Sequence, residues 1–292
     1  MTKILVTGSS GQVGSRLSRI LSESGYDVVG IGTRQLAPEE FKYQKYLQAD
    51  LLKDDIETLI RDVRPNILIH LAWETAPNSF WESLKNSSWL ARSIELASAF
   101  SKWGGEKIVV AGTSAEYDWV SSAPFSETSP EHPDSTYGRA KLGLLDYLRE
   151  QSTPFLWTRT FFQFGGKESP GRLIPSLIDS LWAGSEFTIR KPEDIRDFIY
   201  IRDVVEIMAT LITAEQEGIF NVASGVGTSA RDIGLQVAST LGRPELLKFD
   251  EQSEEPSIVL ADTKKLKETL GGFSFTSLED AIGETTRDWT AE

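Results

Sequence analysis

The chain has 292 residues, enough for one large domain or a domain with a smaller lobe, and its formal net charge is −13. This negative charge would repel nucleic acid and anionic membrane surfaces, so we expect neither as a partner. The absence of cysteine excludes disulfides, thiolate nucleophiles and zinc–thiolate sites, and two histidines disfavour a histidine-rich metal site. Without a signal-peptide pattern or an apolar run of membrane-spanning length, we expect a soluble, cytoplasmic protein.

The first predicted element is a short buried strand, Ile4–Val6, that ends in a glycine-rich turn. Gly8, Gly11 and Gly14 separate this strand from an amphipathic helical pattern. Glycines in such a turn allow a tight bend, a close approach of backbone N–H groups to a pyrophosphate, and packing of helix on strand. The helix N-terminus would add unpaired N–H donors and its positive dipole end. A plain surface turn is the alternative, but the position between strand and helix favours a dinucleotide site.

A second predicted strand, Tyr26–Ile31, leads into Gly32, Thr33 and Arg34. In dinucleotide folds an acidic residue at this point binds the ribose 2′-OH of NAD, whereas a nearby arginine accommodates the 2′-phosphate of NADP. Gly32 occupies the acidic position and Arg34 follows it, which favours NADP over NAD. The alternative is an arginine that is simply solvated on a loop.

The third and fourth predicted strands are Tyr46–Leu51 and Ile67–Ala72, joined by a helix at 54–63. Asp50 ends the third strand, where it is placed to meet the adenine. His70 lies inside the apolar fourth strand, and we interpret it as a core histidine with satisfied hydrogen bonds rather than a catalyst.

A helix predicted at Ser79–Phe100 carries three aromatic residues, Phe80, Trp81 and Trp89. We interpret them as packing residues rather than a stacking platform. Asn86 is a polar residue on the same helix.

The alternation of strand and helix continues with strands at 107–112 and 155–159 and a helix from 135 to 148. This pattern predicts an α/β fold, a Rossmann-type doubly wound parallel sheet, with a smaller C-terminal α/β lobe for the substrate. We expect residues 1–164 to form the dinucleotide-binding domain, with 195–212 returning to it, and 165–194 with 213–292 to form the lobe. The elements predicted after residue 164 are helices at 173–183, 203–212, 230–241 and 263–270 and strands at 196–201 and 218–222.

Tyr137 and Lys141 lie four residues apart near the start of a helix, so both project from one face. A neighbouring lysine lowers the pKa of a phenol and makes it a usable acid or base for a sugar or steroid hydroxyl. Such a pair also occurs by chance on surfaces. Thr113 ends the preceding strand at the carboxyl edge of the sheet, where open α/β folds bind ligands, and this favours a catalytic interpretation.

Three spaced motifs carry a family resemblance: Thr7–Gly14, Thr113 with Tyr137 and Lys141, and Arg196–Asp203. Together they resemble the extended short-chain dehydrogenase/reductases, and more narrowly the nucleotide-sugar epimerase/dehydratase/reductase branch. The likeness extends over nearly the whole chain, including Phe220–Gly225, which is similar to a strand of that branch's second lobe.

The resemblance implies roles for individual residues. Tyr137 would be the acid/base, Lys141 would lower its pKa and hold the nicotinamide ribose, and Asn86 would belong to a proton relay. Thr113, with Ser114 and Tyr137, would bind the substrate oxygen, and Arg196 would hold the substrate diphosphate unless it pairs with Asp197 or Asp203. The residues expected to bind the cofactor are Gly8, Ser9, Ser10, Gly11, Gln12, Val13, Gly14, Arg34, Asp50, Leu51, Leu71, Ala72 and Lys141.

Departures from the family pattern narrow the expected reaction. Ser114 and Ala115 stand where related 4,6-dehydratases carry an acidic pair, so dehydration is disfavoured, and the absence of cysteine excludes a Cys/His epimerase mechanism. Phe162 stands where many relatives carry an asparagine that binds the substrate phosphates. This position therefore does not indicate which nucleotide, or whether any nucleotide, is attached to the sugar. We interpret Glu116 as a loop carboxylate rather than a local acid/base.

The function favoured on this basis is NADPH-dependent reduction of a keto group on a nucleotide-linked 4-keto-6-deoxy sugar. The alternative is a nucleotide-sugar C4 epimerase with retained NAD, and a third reading is a non-catalytic NADP-binding scaffold. The resemblance also implies a homodimer, with the helices around 79–100 and 137–149 forming a bundle between subunits. Three loops, at 77–78, 168–172 and 224–228, are expected to select the sugar.

Overall fold

The computed structural model describes residues 1–35, 45–77, 79–120, 123–166, 168–250 and 256–291. Asn78, part of one predicted specificity loop, lies outside these residues. The strands of the described chain are β1 Lys3–Thr7, β2 Asp27–Gly32, β3 Lys45–Gln48, β4 Ile67–His70, β5 Lys107–Thr113, β6 Phe155–Thr160, β7 Phe162–Phe164, β8 Phe187–Ile189, β9 Ile195–Tyr200, β10 Gly218–Val222, β11 Gly227–Ser229, β12 Leu247–Phe249 and β13 Ile258–Val259. Its α-helices are α1 Gln12–Glu23, α2 Ile56–Val63, α3 Lys85–Lys102, α4 Thr136–Arg149, α5 Leu173–Trp182, α6 Ile201–Thr213, α7 Ala230–Leu241, α8 Lys264–Leu270 and α9 Leu278–Thr290.

A seven-stranded parallel sheet forms the centre of the molecule, in the order β10-β6-β5-β4-β1-β2-β3. Six of these strands follow the order 3-2-1-4-5-6 that is typical of dinucleotide-binding folds. The predicted Rossmann-type fold is therefore confirmed. Because all strands run in one direction, their carboxyl ends meet at a single edge, and that edge holds the site described below.

The sheet is covered on both faces, which explains why its strands read as continuous apolar runs. Ile4 and Val6 of β1 pack into one core with residues of α1 and α6, such as Leu17 and Val204. Leu5, between them, belongs to a second core that includes residues of α2, α3 and α4. Alternate residues of one strand thus fill both cores, because successive side chains point to opposite faces of a sheet.

Two strands lie where the sequence did not predict them. Gly218–Val222, expected in the smaller lobe, is β10 and pairs with β6 as the outermost strand of the main sheet. The segment from residue 195, expected to return to the main domain, begins with β9, which pairs with β7, β11 and β13 in a separate small sheet. Periodicity identified both strands, but it carries no information on which strand would be the neighbour.

No helix in the described part of the chain is long and apolar enough to cross a membrane. Across the same residues, no group of three or more histidine, aspartate or glutamate side chains is arranged to hold a metal ion.

Candidate active site

The glycine turn between β1 and α1 leaves no room for side chains. A Cβ on Gly14 would overlap the Gly8 carbonyl oxygen and lie 2.8 Å from the Cα of Ser9, and a Cβ on Gly8 would lie 2.8 Å from the Ala72 nitrogen. Gly8 also has a φ of +70°, which favours glycine. The cap residue of α1, Gly11, has no side chain to bind the first N–H groups of the helix. Such a cradle of backbone donors fits a dinucleotide pyrophosphate.

The turn residues do not all face the cavity. Ser10, Gln12 and Val13 line it with the three glycines. Ser9 is fully buried, and both its backbone N–H and its hydroxyl donate to the Ile31 carbonyl. The predicted role of Ser9 in cofactor binding is therefore replaced by a structural one, tying the turn to β2.

At the end of β2, a larger residue in the acidic position would require two neighbouring side chains to move. A Cβ on Gly32 would lie 2.7 Å from both the Ser10 hydroxyl and the Tyr46 hydroxyl. The guanidinium of Arg34 donates to the Ser10 carbonyl at 2.5 Å, so the arginine folds back onto the glycine turn. Arg34 lies beside the cavity and does not line it in this structure.

The carboxylate of Asp50, predicted to meet the adenine, instead binds residues of the turn that follows it. Its carboxylate accepts from the Leu52 N–H at 3.0 Å and pairs with Lys53 at 2.9 Å, and the Lys53 hydrogen bond lowers the Asp50 pKa. The residues on either side, Ala49 and Leu51, line the cavity instead. Asp50 therefore shapes the turn before α2.

A cavity of about 540 Å³ runs from the glycine turn along the carboxyl ends of β1, β4 and β5. Leu71 and Ala72 line it after β4, and Thr113 and Ser114 after β5. Tyr137 and Lys141 enter from α4, whose cap Ser135 accepts from the Gly138 N–H at 3.0 Å. Of the four residues that the sequence predicted as catalytic, Thr113, Tyr137 and Lys141 therefore line a single cavity, and Asn86 does not line it.

Burial shifts the pKa values of Tyr137 and Lys141. It raises the pKa of Tyr137, the Glu116 charge raises it further, and a hydrogen bond with the Thr113 side chain and the Arg172 charge oppose this. Burial lowers the pKa of Lys141 to about 7. The sequence predicted that Lys141 would lower the Tyr137 pKa; in this structure the nearby cation with that effect is Arg172. The phenol is thus protonated at neutral pH.

Lys141 is held by two protein groups. Its Nζ donates to the Ala111 carbonyl at 2.8 Å and lies 4.0 Å from the centre of the Trp73 ring. Trp73 stacks on Trp89, and its indole N–H donates to the side-chain oxygen Oδ1 of Asn86 at 2.9 Å. The side-chain nitrogen Nδ2 of Asn86 donates to the Phe80 backbone carbonyl. In place of the predicted proton relay, this geometry has Asn86 hold the indole that covers Lys141.

Glu116 lies directly beneath Thr113 and is completely buried. Its carboxylate accepts from the Thr113 N–H at 2.8 Å, from the Trp157 indole and from Arg159 at 2.7 Å. Arg159 also pairs with Glu131. Glu116 is therefore neither an exposed loop carboxylate nor an acid/base with access to the cavity; it fixes the backbone that presents Thr113.

His70 is a core histidine, as the sequence suggested. One ring nitrogen bonds the Thr7 hydroxyl and the other the Ser93 hydroxyl, each at 2.8 Å. Burial, with a smaller effect of the Lys141 charge, lowers its pKa to about 3, so the ring is neutral.

A second cavity, of about 700 Å³, adjoins the first and shares Phe80, Trp81, Phe162, Glu168 and Arg172 among its lining residues. Arg196 lines this second cavity. It pairs with Asp194 at 2.9 Å and not with Asp197 or Asp203, the two partners considered from the sequence. Those two carboxylates bind the 224–225 backbone and Thr276 respectively.

The chain matches a known protein family. The sequence model described as "NAD dependent epimerase/dehydratase family" matches residues 4–223. The chain belongs to that family.

Individual relatives of the epimerase/dehydratase family are similar over nearly the whole chain. A UDP-glucose 4-epimerase of Corynebacterium glutamicum is 24% identical, over 92% of this chain and 90% of its own. An uncharacterized UDP-glucose epimerase of Bacillus subtilis is 28% identical, over 96% of this chain and 95% of its own. Among solved structures, an NAD-dependent NDP-hexosamine 5,6-dehydratase involved in tunicamycin biosynthesis is 26% identical with a TM-score of 0.87, covering 100% of this chain and 99% of that one.

Several residues of this family member's site could not be identified from its sequence. Phe80 and Trp81, interpreted as packing residues, meet the Tyr137 ring edge-on, with centroids 5.0 and 5.8 Å away, and line both cavities. Trp73 and Glu168 received no predicted role of their own. The only signal for Glu168 was its place in a loop expected to select the sugar.

Proposed function

We propose that the protein is a nucleotide-sugar 4-epimerase that keeps NAD bound through its reaction. The observation that carries this is the meeting of Thr113, Tyr137 and Lys141 in one cavity, beside aromatic rings shared with a second cavity. The relatives named as a UDP-glucose 4-epimerase and as an uncharacterized UDP-glucose epimerase support epimerisation over one-way reduction of a ketone.

The residues present fit a nicotinamide dinucleotide. Gly8, Gly11 and Gly14 would hold its pyrophosphate, because a Cβ on Gly8 or Gly14 would fill the cradle. Lys141 would hold the nicotinamide ribose. When bound, the cofactor would supply a reversible two-electron oxidant for a sugar alcohol.

The chain's own residues handle the proton. The Thr113 hydroxyl is oriented by the Ala115 N–H, which it accepts at 3.2 Å, and it would bind the C4 oxygen of the sugar. Tyr137 would take the proton of that oxygen as a phenolate when the ketone forms and return it when the alcohol forms, and a charge that lowers its pKa, such as that of Arg172, favours the first step. The indole of Trp73 and the rings of Phe80 and Trp81 exclude water from the phenol.

The second cavity is suited to the nucleotide half of the substrate. Arg172 and Arg196 provide positive charge for a diphosphate, and Phe187 and Phe198 provide apolar surface for a base. Burial lowers the Arg196 pKa, and the Asp194 carboxylate raises it.

The test begins with the nucleotide that the purified protein releases on denaturation, identified by mass. Stoichiometric NAD, and conversion of UDP-glucose to its C4 epimer without added cofactor, are the expected results. An empty site that binds NADPH in preference to NADH, with no conversion, would overturn the proposal. Binding of neither nucleotide would overturn both the proposal and the NADP-binding scaffold.

One observation favours a second candidate, NADPH-dependent reduction of a 4-keto-6-deoxy nucleotide sugar. Gly32 provides no carboxylate to select NAD, and Arg34 lies next to it. Consumption of NADPH by a 4-keto nucleotide sugar would support this function.

The homodimer implied by the resemblance is also a proposal, with α3 and α4 as its interface. These helices pack against each other along one side of the sheet. Light scattering of the purified protein should give twice the mass of the chain, and the mass of a single chain would contradict it.

A further inference from the structure

Glu168 lies in the loop between β7 and α5, where the two cavities join. It lines both of them. Among the described residues, it is the one acidic side chain that lines the cavity containing Tyr137 and Lys141. The proposed catalytic residues include no carboxylate that faces the substrate, so the role of Glu168 requires an explanation.

The backbone fixes this carboxylate in place. Gly165 and Gly166 have φ values of +102° and +65°, and a Cβ on Gly165 would overlap the Tyr200 ring. The turn directs the Gly165 N–H to one carboxylate oxygen of Glu168 at 2.7 Å. Within the described residues, no hydrogen bond to the other oxygen is present. One oxygen is therefore anchored, and the second is available to a ligand in the cavity.

The surroundings suit proton transfer at neutral pH. Burial raises the pKa of Glu168 to about 7, opposed by the Gly165 N–H and by the Arg172 charge. Arg172 also acts on the Tyr137 phenol, so its guanidinium is within electrostatic range of both acids. A carboxyl group whose pKa is close to the working pH is an efficient general acid or base.

On the basis of the proposed function, we propose that Glu168 is a second acid/base, which removes and returns a proton on a carbon next to the C4 carbonyl of a 4-keto nucleotide sugar. The C–H bond at C3 or C5 breaks, its proton passes to Glu168, and its electron pair forms an enolate. Thr113 and Tyr137 bind the enolate oxygen. Reprotonation by Glu168 restores the ketone, so the step involves no net oxidation.

The experiment supplies the ketone directly, so that it does not depend on oxidation by a bound cofactor. The protein as purified is mixed with a UDP-4-keto-6-deoxy sugar in D₂O, and deuterium at C3 and C5 is followed by NMR against a sample without protein. We expect wild-type protein to catalyse the exchange, and Glu168→Gln to slow it at least about 100-fold. Glu168→Asp, which keeps a carboxylate, should retain part of the rate.

The matched control is Glu193→Gln, which alters an exposed carboxylate paired with Arg231 and should leave exchange unchanged. UDP binding, measured by calorimetry, should be the same in all three variants and shows that the site is folded. Exchange no faster than in the sample without protein, or an undiminished rate in Glu168→Gln, would overturn the role of Glu168. Conversion of UDP-glucose is measured separately, so absence of exchange in wild-type protein that still epimerises UDP-glucose would reject this inference and keep the proposed function.

Discussion

Replacing Lys141 with methionine should make the folded protein more stable at neutral pH, although it removes a residue proposed to hold the cofactor. Burial lowers the Lys141 pKa from its ordinary value of 10.5 to about 7. Each pKa unit corresponds to about 1.4 kcal/mol, so keeping this lysine charged in the folded state costs about 5 kcal/mol. Only 2% of the residue is exposed, so solvent screening does not reduce this figure much.

The destabilisation caused by Lys141 decreases as the pH rises. Between pH 7 and pH 10.5 the unfolded chain holds a proton on Lys141 that the folded chain has released, so the unfolding free energy rises with pH. From this group the destabilisation is about 4 kcal/mol at pH 7 and about 2 kcal/mol at pH 9. The variant also loses the hydrogen bond to the Ala111 carbonyl, which reduces its gain in stability by about 2 kcal/mol. The variant should therefore exceed wild type by about 2 kcal/mol at pH 7 and match it near pH 9.

Urea unfolding at both pH values, at constant ionic strength and without added nucleotide, measures this difference. Lys102→Met is the control, because Lys102 is exposed and pairs with Glu57 at the surface. The control should show no comparable pH-dependent gain. A Lys141→Met variant less stable than wild type by the same amount at both pH values would refute the reasoning, because it would mean that Lys141 is charged in the folded state.

Three further substitutions test the site. Tyr137→Phe should reduce turnover about 100- to 10,000-fold while the protein still binds its nucleotide, which separates proton transfer from cofactor binding; loss of the nucleotide would contradict this. Gly14→Ala should abolish nucleotide retention, measured by mass, whereas Gly143→Ala, whose added Cβ meets only Leu90 methyl groups at 3.2 Å, should retain it. Glu116→Gln should lower the unfolding free energy by about 3 kcal/mol, because it weakens a buried ion pair, and an unchanged value would show that Arg159 is satisfied by other partners.

The parts of the molecule that the sequence predicted well are those set by local patterns. A few neighbouring residues are enough to interpret the apolar run of β1, the glycines after it and the spacing of Tyr137 and Lys141. Six of the seven strands of the central sheet could therefore be predicted, and so could the glycine turn, Thr113, Tyr137 and Lys141 at its carboxyl edge.

The parts that differed depend on neighbours distant in sequence, except for Asp50, whose partners are local. The carboxylate of Asp50 forms a local turn, a competition that strand periodicity does not reveal. The Tyr137 pKa is set mainly by burial, which depends on how the aromatic rings of a distant segment pack around it. The place of Glu168 between two cavities follows from a loop whose path no sequence pattern specifies.

The return of β10 to the main sheet has a consequence for any attempt to divide the protein. A fragment ending at α6 would contain Thr113, Tyr137 and Lys141 but would lack the strand that pairs with β6. The exposed edge of β6 would then present unpaired N–H and C=O groups, which favour association with other chains. The dinucleotide-binding half is therefore completed by a segment synthesised after the loop that carries Glu168, and we expect shortened genes to give aggregated protein.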